Sequence, residues 1–374
     1  MKRRSWVWRA AAVAAGCAIA VGLAACGDDN SSSSDTSGSG GEITLTLSYV
    51  TTQQHPYGQA VDYFIEEVNK ASNGRIKIEG RPSYPNSEVQ LLSDVRSGSA
   101  DMATISTAIW DSAGITSFQA LQAPFLIDNY TLDSSVLTGS IGADMAADAT
   151  EKAGDVKVLA VHEGGLRKPL GAKIQLTSAK AFKGAKIRAV QSKVLAAGLQ
   201  ALGAEADPLP LPEVYQALQN GTVDGMEANL GLIAGNKYYE VAKFVTGNIN
   251  LWPFPTALVV NQAKFDSLSA EDQKILTDAG ATVPAKSIEI VSAKSDLPQQ
   301  LFDCGIRYVN ASPADKAALV KLGEAAVANL TKADATTGDF IQQIKDLKAN
   351  TTAPTPGALP TKKSAPDAKC ALGG

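Results

Sequence analysis

The chain has 374 residues, a length that suits about two domains, and it is 45% hydrophobic and 19% charged, so a large core can be buried. Its formal net charge is −4, and removing Lys2, Arg3, Arg4 and Arg9 with residues 1–25 leaves 30 basic against 38 acidic side chains, near −8. An acidic body with no basic run excludes a general nucleic-acid binder. Any anionic ligand must find a local cationic site against the overall field.

Lys2-Arg3-Arg4 and Arg9 make a charged start, and Ala10 to Ala25 is an apolar run shorter than the ~20 residues of a membrane-spanning helix. The run ends in Leu23-Ala24-Ala25-Cys26-Gly27, which resembles a bacterial lipoprotein lipobox. Residues 1–25 are therefore expected to be a lipoprotein signal peptide and Cys26 the lipidated residue. Residues 26–41, which beyond Cys26 are Gly, Asp, Asn, Ser and Thr, read as a flexible tether that bears no core. The protein is expected to be extracytoplasmic and lipid-anchored to the cell membrane. Of the remaining cysteines, Cys304 and Cys370 can oxidise to each other in that compartment, or Cys304 can be a buried thiol and Cys370 a tail thiol.

Ile43, Leu45, Leu47 and Tyr49 alternate with polar residues, a strand. Residues 51–57 then form a loop, and Ala60, Val61, Phe64, Ile65 and Val68 mark a helix closed by Asn73-Gly74. A strand at 75–79, a helix from Ser87 to Arg96 and a strand at 100–106 complete a β-α-β-α-β run. That pattern implies an α/β fold with mostly parallel sheets. Ligands of such sheets bind off the carboxyl ends of strands, which here carry His55 and Ser106. Residues 118–130 read as a loop, 140–153 as an Ala-rich helix and 156–161 as a strand.

The alternation Ala185-Lys186-Ile187-Arg188-Ala189 reads as another strand. Arg188 is either a carboxylate anchor, through the planar fork of its guanidinium, or a surface arginine on an edge strand. A helix over 192–202 ends at Gly203, Pro212 opens a second that runs to Gly221, and 223–227 is a strand and turn. Helix 230–240 and strands 241–245 and 256–261 follow. Trp252 and Phe254, flanked by prolines, are pocket wall or core corner. Ser269 caps a helix through Gly280, and 281–303 reads as a long helix bent or interrupted at Pro298. Ile306 to Val309 is a strand, Ser312-Pro313 opens a helix reaching Leu347, continuous or interrupted, and 351–374 reads as a disordered tail except near Cys370.

Four segments carry a family resemblance: Lys183-Gly184-Ala185-Lys186-Ile187-Arg188, Leu202-Gly203-Ala204, Glu213-Val214-Tyr215-Gln216-Ala217-Leu218-Gln219 and Val223-Asp224-Gly225-Met226-Glu227. In this order and spacing the chain, over roughly residues 42 to 345, resembles the solute-binding proteins of tripartite ATP-independent periplasmic (TRAP) transporters, of the C4-dicarboxylate-binding (DctP-like) type. The resemblance implies a two-lobed periplasmic-binding-protein-like clamp with a long interlobe helix. Lobe I would be 42–164 plus 258–298, and lobe II 165–257 plus 299–350. It implies capture of a small organic acid between the lobes and delivery to the membrane permease subunits of a TRAP transporter. Arg188 matches the carboxylate-binding arginine, Arg167 falls near a second arginine, and Glu227 lies in the cleft turn. Asn229, Ser106, His55 and Trp252 are further candidates for the pocket. The chain departs from the family pattern at Ala189-Val190, Ala228 and Leu211. Leu211, Trp252 and Phe254 hint at a ligand less polar than a sugar acid, such as an aromatic or branched keto acid.

An enzyme is disfavoured. The only histidines, His55 and His162, are far apart, and no metal-spaced His pair, nucleophile elbow, phosphate loop or Cys-x-x-Cys is present, so no cofactor or metal is expected. A binding protein for an ABC importer or a sensor input module is the alternative that keeps the clamp.

Overall fold

The computed structural model describes residues 41–293, 296–355 and 357–372. Residues 1–25, Cys26 and the tether up to residue 40 lie outside the described residues. In chain order, the first part is β1 (Ile43–Ser48), α1 (Pro56–Ala71), β2 (Ile76–Arg81), α2 (Glu88–Ser97), β3 (Met102–Ser106), two 3-10 turns (Thr107–Ala113 and Gln119–Gln122), α3 (Tyr130–Thr138), α4 (Ser140–Ala153) and β4 (Val156–His162). The middle part is β5 (Lys168–Gly171), α5 (Ala179–Phe182), β6 (Lys186–Ala189), α6 (Lys193–Ala201), β7 (Glu205–Pro208), α7 (Val214–Asn220), β8 (Gly225–Ala228), α8 (Leu230–Gly235) and β9 (Phe244–Thr246). The last part is β10 (Thr256–Asn261), α9 (Gln262–Asp266), α10 (Ala270–Ala293), α11 (Leu297–Asp303), β11 (Arg307–Val309), α12 (Pro313–Ala333) and α13 (Ala335–Ala349).

Two sheets result, in the orders β2-β1-β3-β10-β4 and β11-β9-β5-β8-β6-β7. Each lobe is built on one of them. The sheets are less uniformly parallel than the β-α-β pattern implies, because each contains one reversed strand. β10 is antiparallel to β3 and β4, and β5 is antiparallel to β8 and β9. Both reversed strands follow a crossing from the other sheet, so they enter from the opposite end. The two crossings, 163–167 and 247–255, meet at an antiparallel bridge between Arg167 and Trp252.

Alternation explains the cores. Leu45 and Leu47 of β1 face Phe64 and Val68 of α1 and Leu276 and Val283 of α10. Leu170, Met226, Ile233 and Leu301 do the same behind the second sheet. A third cluster, including Trp110, Phe118, Leu195 and Trp252, joins the two lobes.

Several elements depart from the sequence reading. α3 lies just beyond the expected loop, started by Asn129, whose side chain accepts from the Leu132 amide at 3.0 Å. β5 and β7 are too short to show a period. Gly280 does not end a helix: α10 runs through it and through Pro284. A Cβ at Gly280 would sit 2.9 Å from the Leu159 carbonyl oxygen, so this glycine lets α10 approach β4. α10 is described as far as Ala293, and α11 covers Leu297–Asp303. Of the two readings of 313–347, the interrupted one holds: the helix divides at Asp334, whose side chain accepts from the Thr337 amide and starts α13. The stretch read as a disordered tail is held by contacts. Cys304 and Cys370 form a disulfide, and Ser364 donates twice to Asp303. Among the described residues, no helix is long and apolar enough to cross a membrane.

Candidate functional site

β6 is not an edge strand. It lies between β7 and β8, and it delivers Arg188 at its carboxyl end to the space between the lobes. Lys186, two residues earlier on the same face, is exposed, whereas Arg188 is 2% exposed. The difference is one of depth along the strand. Arg188 donates from Nε and Nη2 to the Leu209 carbonyl at 3.0 and 2.7 Å. Its Nη1 is buried with no hydrogen-bond partner. Burial pulls its proton affinity below the usual arginine value, and the carboxylates of Glu227 and Glu88 oppose that from a distance. No described residue makes an ion pair with it.

Arg167 is used differently. It is an internal cation, its Nε paired with Glu227 Oε2 and its Nη2 donating to the Glu227 carbonyl at 2.6 Å. The guanidinium also lies 4.2 Å from the centroid of the Phe254 ring. Glu227 is fully buried behind this pair rather than in the cavity wall.

The cavity is narrow, with about 20 Å³ of free space left between its walls. Its polar wall is Arg188, Arg167, Asn229, Glu88, His55, Thr51 and Tyr57, and its apolar wall is Val50, Val190, Leu211, Leu232 and Phe254. β1 and α1 supply one side, and β6 and α8 the other. Asn229 caps α8, its Oδ1 accepting from the Leu232 amide at 2.7 Å, while its Nδ2 is buried without a partner. His55 caps α1 from the opposite lobe, and its Nε2 lies 3.4 Å from Asn229 Oδ1, so two helix starts meet across the cleft.

Glycines make this approach possible. A Cβ at Gly164 would fall 1.7 Å from Tyr57 Cε1. The Tyr57 ring fills that space and its hydroxyl donates to the Phe254 carbonyl. Burial, with Glu163 nearby, keeps that phenol protonated by raising its pKa. At Gly231 a Cβ would lie 2.8 Å from Pro56 Cδ.

Five of the residues singled out from sequence thus converge, Arg188, Arg167, Glu227, Asn229 and His55. Of these, Glu227 stands behind Arg167 rather than in the wall, and two further predicted residues do not reach the cavity. The Ser106 side chain turns inward to accept from the Ala108 amide at 3.2 Å, capping the first 3-10 turn. Trp252 is a core corner, fully buried and packed near Gly198. Phe254, two residues on, takes the wall position.

Glu88 was not legible as a site residue. It follows the helix cap Ser87, where an acid is explained by the helix dipole alone. In the structure it lines the cavity, and its Oε1 accepts from the Ser106 amide at 2.8 Å. Burial raises its pKa, while the Ser106 amide and the two arginines pull the other way.

Comparison with known proteins agrees with this architecture. Residues 47–334 match the model of the bacterial extracellular solute-binding proteins, family 7 (DctP). The chain is 29% identical over 238 residues to the 2,3-diketo-L-gulonate-binding periplasmic protein YiaO of Escherichia coli, covering 63% of this chain and 71% of that one. It is 31% identical over 233 residues to the C4-dicarboxylate-binding periplasmic protein DctP of Rhodobacter capsulatus, covering 61% and 68%. The sugar-acid-binding protein DctPAm of Advenella mimigardefordensis, solved with galactonate, superposes with a TM-score of 0.76 at 26% identity, over 83% of this chain and 99% of that one.

Proposed function

Because the chain belongs to the bacterial extracellular solute-binding proteins of family 7, we propose that Arg188 is the anchor of the organic acid it carries. The protein is the extracytoplasmic solute-binding component of a TRAP-type transporter, which captures a carboxylate between its lobes for the membrane permease. A transport role of this kind displaces the enzyme and the ABC-importer alternatives. The observation that carries the assignment to Arg188 is its buried, partnerless Nη1 in the wall of the interlobe cavity. A cation without a counter-ion in a low-dielectric cleft attracts one anionic group strongly. Arg167, already paired with Glu227, orients rather than neutralises: its fixed charge and the Phe254 ring shape the floor beneath the ligand. Asn229 Nδ2 supplies a second donor, and closure of the clamp excludes water from both.

Titration calorimetry of the purified chain with organic acids tests this reading. Truncating one partner of a buried charge-assisted pair costs roughly 2–5 kcal/mol. Arg188→Ala should therefore weaken the tightest acid by about 30-fold or more. A loss of less than tenfold would remove Arg188 from the anchor role.

The membrane attachment rests on the sequence alone. Cys26 follows an apolar leader and a small-residue box, and residues 26–41 give the tether length to reach a permease. Cells expressing Cys26→Ser should release the protein into the soluble fraction, while the unaltered chain partitions with detergent. Equal partitioning of both would argue against the anchor.

A further inference from the structure

Two carboxyl groups lie buried where the chain passes between the lobes, outside the cavity itself. Glu163 opens the first crossing and Asp133 sits on α3, and both are fully buried. Among the described residues, no donor group reaches either oxygen of Asp133 or Glu163 Oε2. Yet the two side chains are hydrogen-bonding neighbours of each other. Two carboxylates cannot bond together, because both only accept. One proton between them resolves this: an O–H of one acid donates to the other, and the pair keeps a single negative charge.

The surroundings decide which acid holds the proton. Glu163 Oε1 accepts from the amides of Gly165 and Phe254, the latter at 3.3 Å, and the Gly164 amide also bonds to this carboxylate. Backbone donors favour an ionised carboxylate, so Glu163 carries the charge and Asp133 the proton. Tyr57 of α1, Tyr130 of α3, His162 of β4 and Arg167 in the crossing are the titratable and charged groups around the pair. α10 presents Ser287, whose hydroxyl accepts from the Glu163 amide at 2.9 Å.

Glu163 thereby touches both crossings, since Phe254 lies in the second. Gly165, at φ +126°, turns the first crossing back so that its amide reaches the Glu163 side chain. Tyr130 stands one turn before Asp133 on α3, and its hydroxyl accepts from the Leu166 amide at 3.1 Å. The Phe254 carbonyl in turn accepts from Tyr57. A chain of hydrogen bonds thus runs from α3 through Glu163 to Phe254 and Tyr57 in the cavity wall, and along the crossing that carries Arg167.

We propose that Asp133 and Glu163 are a proton-sharing pair of positioning residues for ligand capture. Asp133 donates its proton to Glu163, and the Glu163 carboxylate ties the two crossings together so that Arg167, Phe254 and Tyr57 stand in register around the ligand.

Two measurements on the full chain test the pair, and only the second rests on the carboxylate reading above. The infrared C=O band of a protonated carboxyl should be present at pH 7 and lose intensity in Asp133→Asn. A band undiminished in that variant would overturn the shared proton. Calorimetry with galactonate, succinate and pantoate then reads the positioning role on the tightest of the three. Asp133→Leu fills the space but donates nothing to Glu163, and it should weaken binding about tenfold or more. Asp133→Asn, whose amide donates as the acid does, should stay within about threefold of the unaltered chain. Glu163→Ala and Glu163→Gln should differ in the same way, since glutamine keeps an oxygen for the backbone amides and a donor for Asp133. Urea unfolding of each variant confirms that it is folded at the temperature of the titration. Equal losses in the conservative and the disruptive variant at both positions, or no loss in any, would overturn the positioning role. Failure of all three acids to bind the unaltered chain would count against the carboxylate reading and against positioning for it, while the infrared band still decides the shared proton.

Discussion

His162 and Asp133 are buried titratable side chains with opposite consequences for pH. His162 bonds to Thr256 Oγ1 at 2.9 Å, and burial pushes its pKa down to about 3. Its unfolded value is about 6.5. Between those values the unfolded chain takes up a proton that the folded chain refuses, so stability falls as pH drops below about 6.5. Asp133 is fully buried near Glu163, and desolvation with that neighbouring acid pushes its pKa well up. Its unfolded form ionises above about 3.9. The folded chain holds this proton, so stability falls as pH rises through that range, and Glu163 acts in the same sense. The two slopes oppose each other over mildly acidic pH. His162→Gln should therefore improve stability at pH 4.5 relative to pH 7 by about 2 kcal/mol against the unaltered chain. Asp133→Asn, which mimics the protonated acid, should improve stability at pH 7 more than at pH 4.5. Urea unfolding at the two pH values measures both, and parallel curves for all three proteins would rule the assignment out.

Among the elements, the crossing at 163–167 has the tightest fit. Gly164 gives its Cβ space to the Tyr57 ring, which stands edge-on to His55 with centroids 4.5 Å apart. Gly164→Ala should force that ring out, at a cost of about 1–3 kcal/mol. It should also weaken ligand binding, because Tyr57 and His55 both line the cavity. Adding Tyr57→Leu should return part of the lost stability, a non-additivity that a double-mutant cycle reads directly. Additive losses would mean that the ring and the glycine are energetically independent. The start of α6 is a second junction. Ser192 and the Val194 amide both donate to Asp111, at 2.7 and 3.1 Å, tying the first 3-10 turn to a helix of the second lobe.

At the scale of the whole molecule, the C-terminal stretch closes the chain back on the second lobe. It follows α13, which packs on α3 and α4, and it reaches α11 through the Cys304–Cys370 disulfide. The bridge spans 66 residues of sequence, for which the chain-entropy argument gives a ceiling of about 4 kcal/mol. The double substitution Cys304→Ser with Cys370→Ser should lower the urea midpoint accordingly. Organic-acid affinity should be unchanged, because neither cysteine lines the cavity. A midpoint unaffected by the substitution would show that Ser364 and Asp303 hold the stretch without the bridge.

Much of this protein is written locally in its sequence. Alternation over β1 and β4, the caps Ser87, Ser192 and Ser312, and the order of segments around Arg188 are legible because they depend on neighbours within a few residues. So is the presence of a cationic strand end suited to a carboxylate. The tertiary structure alone decided which arginine is available, since Arg167 meets Glu227 across 60 residues of sequence and Arg188 is left with Nη1 unpaired. It also moved Ser106 and Trp252 out of the site and brought Glu88 in, through a bond to the Ser106 amide 18 residues away. Such contacts are set by how sheets and helices pack in three dimensions. Periodicity assigns a side chain to a face, but only packing determines what that face meets.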